Sequence, residues 1–115
     1  MAICPDLDML HSHVTLDWDT ENEPHSTMYE VSKAKCIHWR VSASGKHKHI
    51  LLCFTRSFTV FELFMLRAKL HDDPYRFSHD WQRWSVTGDV RFASGVLFDL
   101  KHGASAGEWV VLERV

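Results

Sequence analysis

Nine histidines in 115 residues give this chain its most distinctive chemistry. Imidazole binds divalent metal when neutral and titrates near neutral pH. His47 and His49 flank Lys48 on a stretch that reads as a β-strand, and His38 is expected on the neighbouring strand with Cys36. Ring nitrogens at i and i+2 of a strand lie on one face and can converge on one ion. A third ligand from across the strand would leave an open coordination position, as catalytic zinc or manganese sites do. His38, His47 and His49 are therefore the candidate metal ligands. The simpler alternative is a half-solvated outer face of a hairpin, with Cys36 and Cys53 as small apolar fillers. A second group mixes aromatic and basic residues: Tyr75, Arg76, Trp81, Arg83 and Trp84. That mixture suits a protein-binding hot spot or a platform on which bases stack. Trp81 and Trp84, at i and i+3, share one side of a short helix, so core packing competes with either role.

The run His47-Lys48-His49-Ile50-Leu51-Leu52-Cys53 resembles the His-hydrophobic-His strand of replication-initiator (HUH) endonucleases, over about seven residues. The resemblance implies a divalent ion on His47 and His49 that polarises a phosphate, with Tyr75 as the nearest match to a nucleophile. Lys48 stands where that motif has an apolar residue, and the neighbouring strand supplies no acidic ligand. Walker, Rossmann, HExxH and nucleophile-elbow patterns are absent from the sequence, which disfavours the common nucleotide-dependent and hydrolase classes.

Composition sets the frame for these groups. Hydrophobic residues make up 45% and charged residues 24%, in the range of globular domains, and the length fits a single domain over 1–115. The formal charge of −2 gives no overall field for a polyanion, although nine protonated histidines would add nine charges to it. Three cysteines without CxxC spacing argue against a secreted disulfide framework. Together with an N-terminus lacking a basic, apolar leader pattern, they point to a reducing cytoplasmic setting. The longest apolar run, Ile50 to Phe54, is far below the ~20 residues of a membrane span.

The pattern along the chain predicts an α+β fold: a largely antiparallel sheet of about five to six strands packed on one main helix, 59–70, with short helical turns. Ile3, Leu7 and Leu10 have helical spacing, while Val14, Leu16 and Trp18 alternate as in a strand with one buried face. Strands are expected over 28–41 and 46–55, joined at Gly45 in a hairpin. Ile37, Trp39 and Val41 then share the core face with Ile50, Leu52 and Phe54, and the opposite face carries Cys36, His38, Arg40, His47, His49, Leu51 and Cys53. Thr59 and Glu62 form a capping-box pair that opens the helix, with Phe61, Phe64, Met65 and Ala68 as its inner stripe. Ser78 caps a short turn bearing Trp81 and Trp84. Extended segments follow over 86–92, 96–101 and 109–115; if Lys101 faces Glu108, Leu100 meets Trp109 and Phe98 meets Val111 on one face.

These features favour a small non-enzymatic binding protein that engages a protein partner, with nucleic acid as a second candidate partner and no membrane association. The alternative is a divalent-metal-dependent nuclease or phosphoester hydrolase. A third reading is an aromatic pocket for a small ligand. No organic cofactor is implied, only a divalent metal at the histidines, and an exposed final strand is compatible with a homodimer.

Overall fold

The computed structural model describes residues 13–20, 22–95, 100–101 and 104–114. It shows an α+β arrangement built on a four-stranded antiparallel sheet. The strands are β1 (His13–Trp18), β2 (Cys36–Val41), β3 (Lys48–Cys53) and β6 (Val110–Val111), in the order β1-β3-β2-β6. A separate ribbon pairs β4 (Leu100–Lys101) with β5 (Ala104–Ser105). Among the described residues four helices accompany the strands: α1 (Met28–Ser32), α2 (Val60–Lys69), α3 (Pro74–Thr87) and α4 (Arg91–Ser94). The main sheet thus has fewer strands than expected.

The β2–β3 hairpin turns at Gly45, whose φ of 76° is the left-handed conformation that glycine adopts without strain. Its register places Ile37 opposite Leu52 and Trp39 opposite Ile50, so the apolar side chains fall on one face. Ile37, Ile50 and Leu52 join Val14 and Leu16 of β1, Phe54 just after β3, and Leu63, Phe64, Leu70 and Ala93 of the helical layer in a single buried cluster, with Trp39 packed against it. Phe64 anchors that layer, with Phe77 at 5.4 Å, Trp81 at 4.9 Å and Trp84 at 5.9 Å between ring centroids. Edge-to-face rings at these separations add to the stabilisation from buried area.

Several elements differ from the sequence-based expectation. Residues 28–32 form a helical turn, and the strand begins only at Cys36. Tyr29 holds the turn in place: its hydroxyl donates to the Leu112 carbonyl at 2.6 Å and accepts from the Ile37 amide at 3.1 Å. Long-range bonds thus override a local strand pattern. The second major helix, α3, replaces the short turn expected at Ser78 and absorbs residues 86–87 of the expected extended segment. Asp73 caps it through the Tyr75 amide, Pro74 occupies its first turn, and Gly88 closes it at φ 70°. Residues 91–94 are helical as well, and Lys101 pairs with Ala104, not with Glu108. The helical spacing of Ile3, Leu7 and Leu10, and the expected strand positions 96–99, lie outside the described residues.

Thr59 and Glu62 make the reciprocal capping box, yet α2 is rotated from the expected orientation. Leu63, Phe64 and Arg67 are its buried residues, whereas Phe61 and Met65 are 64% and 53% exposed. The cause is Arg67. Its guanidinium is fully buried and donates to Asp72 at 2.9 Å, to Asp80 at 2.7 Å and to the carbonyl of Phe92 at 2.8 Å. Arg76 completes the knot, donating to Asp72 at 2.7 Å and to the Thr15 carbonyl at 3.1 Å. Two arginines and two aspartates therefore tie α2, α3, α4 and β1 together in opposite-charge pairs, the condition under which buried charge is tolerated, although the buried Arg76 Nε finds no acceptor among the described residues.

The outer face of the hairpin is also less solvated than a bare hairpin would be. His38, Arg40, His49, Leu51 and Cys53 are all buried. Leu51 and Cys53 form a second small cluster with Cys36 and Trp109, and the Arg40 guanidinium sits 4.4 Å from the Trp109 ring centre. Cys36 stands directly opposite Cys53, and both are disulfide-bonded.

Candidate functional site

Two places in the described structure combine accessibility with chemistry. The first is a groove of about 730 Å³ between α1 and α2. Its apolar lining comes from Val31, Phe54, Phe58, Phe61, Met65 and Leu66. The segment after β3 supplies Phe58, whose ring packs edge-on against Phe54 at 4.8 Å. Because Arg67 takes the inward side of α2, Phe61 and Met65 are turned out to line this trough. Lys33, Arg56, Glu62 and Lys69 also line it. Arg56 pairs with Glu62 at 3.3 Å, so Lys33 and Lys69 give the groove a net positive character. Glu62 sits well within its ionised range. The Thr59 amide and hydroxyl, then Arg56, hold its carboxyl below the usual value.

The second place is polar and lies where β1 ends. Asp17 closes the outer face of β1, His47 precedes β3, and Asp73 precedes α3. Their donor atoms all lie within 4.8 Å of one another, and all three residues are half-buried. His47 Nδ1 is 3.2 Å from Asp17 Oδ1, and its Nε2 is 3.6 Å from Asp19 Oδ1. Burial raises the Asp17 carboxyl above its ordinary value, and Asp73 adds to this. His47 and Arg76 act in the opposite sense without cancelling the shift.

The three histidines singled out by sequence share a sheet face but divide into different environments. His47 belongs to the Asp17 and Asp73 group, which includes neither His38 nor His49. His49 Nδ1 accepts from Arg40 Nε at 3.0 Å. Since a guanidinium nitrogen only donates, Nδ1 is the acceptor in this bond. His38 stands opposite Leu51 on β2, and burial lowers its basicity. Asp17 and Asp73 carried no local signal beyond their acidity. Their approach to His47 depends on β1 pairing with β3 and on the turn before α3.

The aromatic and basic group also divides. Tyr75 is 79% exposed and Trp81 39%, and Arg83 is exposed. Trp84 is half-buried against Phe64, and Arg76 is committed to Asp72 and Thr15. A surface formed by all five residues is therefore not what α3 presents. No helix among the described residues is long and apolar enough to cross a membrane. Comparison with protein-family models, curated proteins and solved structures finds no match to this chain.

Proposed function

We propose that the protein is a non-enzymatic binding domain whose groove between α1 and α2 takes an amphipathic, acid-flanked segment of a protein partner. The observation that carries this reading is the outward apolar side of α2. Phe61 and Met65 are large, exposed and continuous with Val31, which is 49% exposed. A groove of this kind fits an apolar helical stripe presented at i, i+3 or i+4, and i+7. Lys33 and Lys69 favour carboxylates beside the stripe, which improves specificity and association rate. Tyr75 and Trp81 on α3 offer further aromatic contact area outside the groove.

Selection from a random peptide display library tests the reading directly. Enriched sequences are expected to share an apolar helical stripe with Asp or Glu beside it, and to lose binding to the folded Phe61→Asp and Met65→Asp variants. Enriched sequences that lack this pattern, or that bind both variants undiminished, would overturn it.

A second reading, a divalent-metal-dependent phosphoester hydrolase, draws support from one observation: His47 lies among carboxylates. Manganese-dependent cleavage of a phosphodiester that disappears in His47→Gln would support it, and no cleavage with added manganese removes it. The cytoplasmic setting read from sequence is weakened by the bonded state of Cys36 and Cys53, since such bonds persist chiefly in oxidising compartments.

A further inference from the structure

Three backbone segments bring Asp17, His47 and Asp73 together, and backbone bonds fix two of those segments to each other. The Asp73 amide donates to the Asp17 carbonyl at 3.0 Å, and the Asp17 amide donates to Asp72 Oδ1 at 2.8 Å. His47 is fixed from the other side. Its carbonyl accepts from the Ser42 amide at 2.9 Å, and its own amide donates to the Ser42 hydroxyl at 3.1 Å. These hydrogen bonds bring the three segments together, and His47 also meets Asp17 directly through its side chain.

Local charge favours a cation. Arg67 and Arg76 are matched by Asp72 and Asp80 within the buried knot. Asp17, Asp19 and Asp73 remain; His47 pairs with Asp17 and Asp19, and the Arg76 charge acts on Asp17 from the knot. Asp73 uses Oδ1 to cap α3 through the Tyr75 amide at 2.9 Å, a bond that leaves its second oxygen for another partner.

We propose that Asp17, His47 and Asp73 form a binding site for one divalent cation of the manganese-to-zinc class, with Asp19 at its open side. The donor set selects this class. One imidazole with two carboxylates suits manganese and zinc, whereas calcium and magnesium take oxygen donors and copper(I) prefers sulfur. Metal–donor distances of about 2.0–2.2 Å require the three donor atoms to draw in slightly from their present spacing, within the reach of side-chain rotation. Three protein donors at a half-exposed position leave coordination positions for water or for a partner's carboxylate. The proposal rests on donor geometry and stands whether or not any cleavage follows.

The test uses the full, chelator-treated chain and manganese ion alone, followed by two-dimensional amide NMR. Substoichiometric Mn²⁺ is expected to broaden amides around 15–19, 46–49 and 72–75 first, and added Zn²⁺ to restore them by displacement. Asp17→Asn and Asp73→Ser are expected to weaken binding at least about tenfold. Serine keeps the N-cap of α3 while removing the carboxylate, and well-dispersed spectra establish that each variant is folded. His79→Gln, at an exposed position on α3, is expected to leave binding unchanged. Broadening centred on other histidines, or undiminished in the folded Asp73→Ser variant, overturns the site. Cation binding without phosphodiester cleavage would keep this site and remove the hydrolase reading.

Discussion

Replacing Arg67 by methionine keeps the length of the side chain and removes its charge from the centre of the helical layer. Asp72 keeps Arg76 as a partner, but Asp80, which is 6% exposed, loses the guanidinium that meets it at 2.7 Å. The carbonyl of Phe92 loses its donor as well. Stranding one member of a buried pair costs roughly 3–5 kcal/mol, a large share of the ~5–15 kcal/mol that holds a domain folded. At roughly 4 °C per kcal/mol for a chain of this size, the midpoint of thermal unfolding is expected to fall by roughly 12–20 °C. Urea unfolding followed by tryptophan fluorescence measures the loss directly. The double variant Arg67→Met/Asp80→Leu is expected to regain much of it, because no carboxylate is then left without a cation. A single variant that loses less than about 1 kcal/mol, or a double variant no more stable than the single, would refute the reasoning.

Two further outcomes follow from the same packing. Burial lowers the His38 imidazole below its ordinary value near 6.5, so the unfolded chain binds the proton more readily. Stability from this residue is present above pH 6.5 and declines as pH falls toward the folded value. Stability measured from pH 7 to 5 is expected to slope less steeply in His38→Gln, and NMR titration of His38 at or above the ordinary value would contradict this. Gly95 has φ 93°, and a β-carbon there would run into the Arg76 guanidinium and the Thr15 hydroxyl. Gly95→Ala is therefore expected to cost roughly 1–3 kcal/mol in thermal or urea unfolding, whereas an unchanged midpoint would show that the contact yields freely.

Local chemistry made part of the fold legible. Gly45 between two alternating runs fixed the hairpin and the parity that sets Ile37 and Leu52 inward and His38 and His49 outward. Thr59 and Glu62 marked the start of α2. The orientation of α2 was not legible, because apolar residues surround most of it and only the partners of Arg67, five and thirteen residues away, decide which side turns in. The groove follows from that choice, so it was hidden for the same reason. The start of α3 was signalled by Asp73-Pro74 and its end by Gly88, but Pro74 also reads as a terminator of α2, and that role obscured its second one. Of the polar cluster, His47 was visible by its residue type. Asp17 and Asp73 gain meaning only from the pairing of β1 with β3 and from the amide of Asp73.

The bonds at the end of β1 also restrict how copies of this chain can meet. At Asp17 the amide and the carbonyl are both occupied, and at Thr15 the carbonyl is held by Arg76. An incoming extended segment would find these three rungs already taken, a form of protection against edge-to-edge aggregation. The opposite border of the main sheet runs along Val110 and Val111 of β6, so strand addition to this sheet is directed there and away from the Asp17 end of β1.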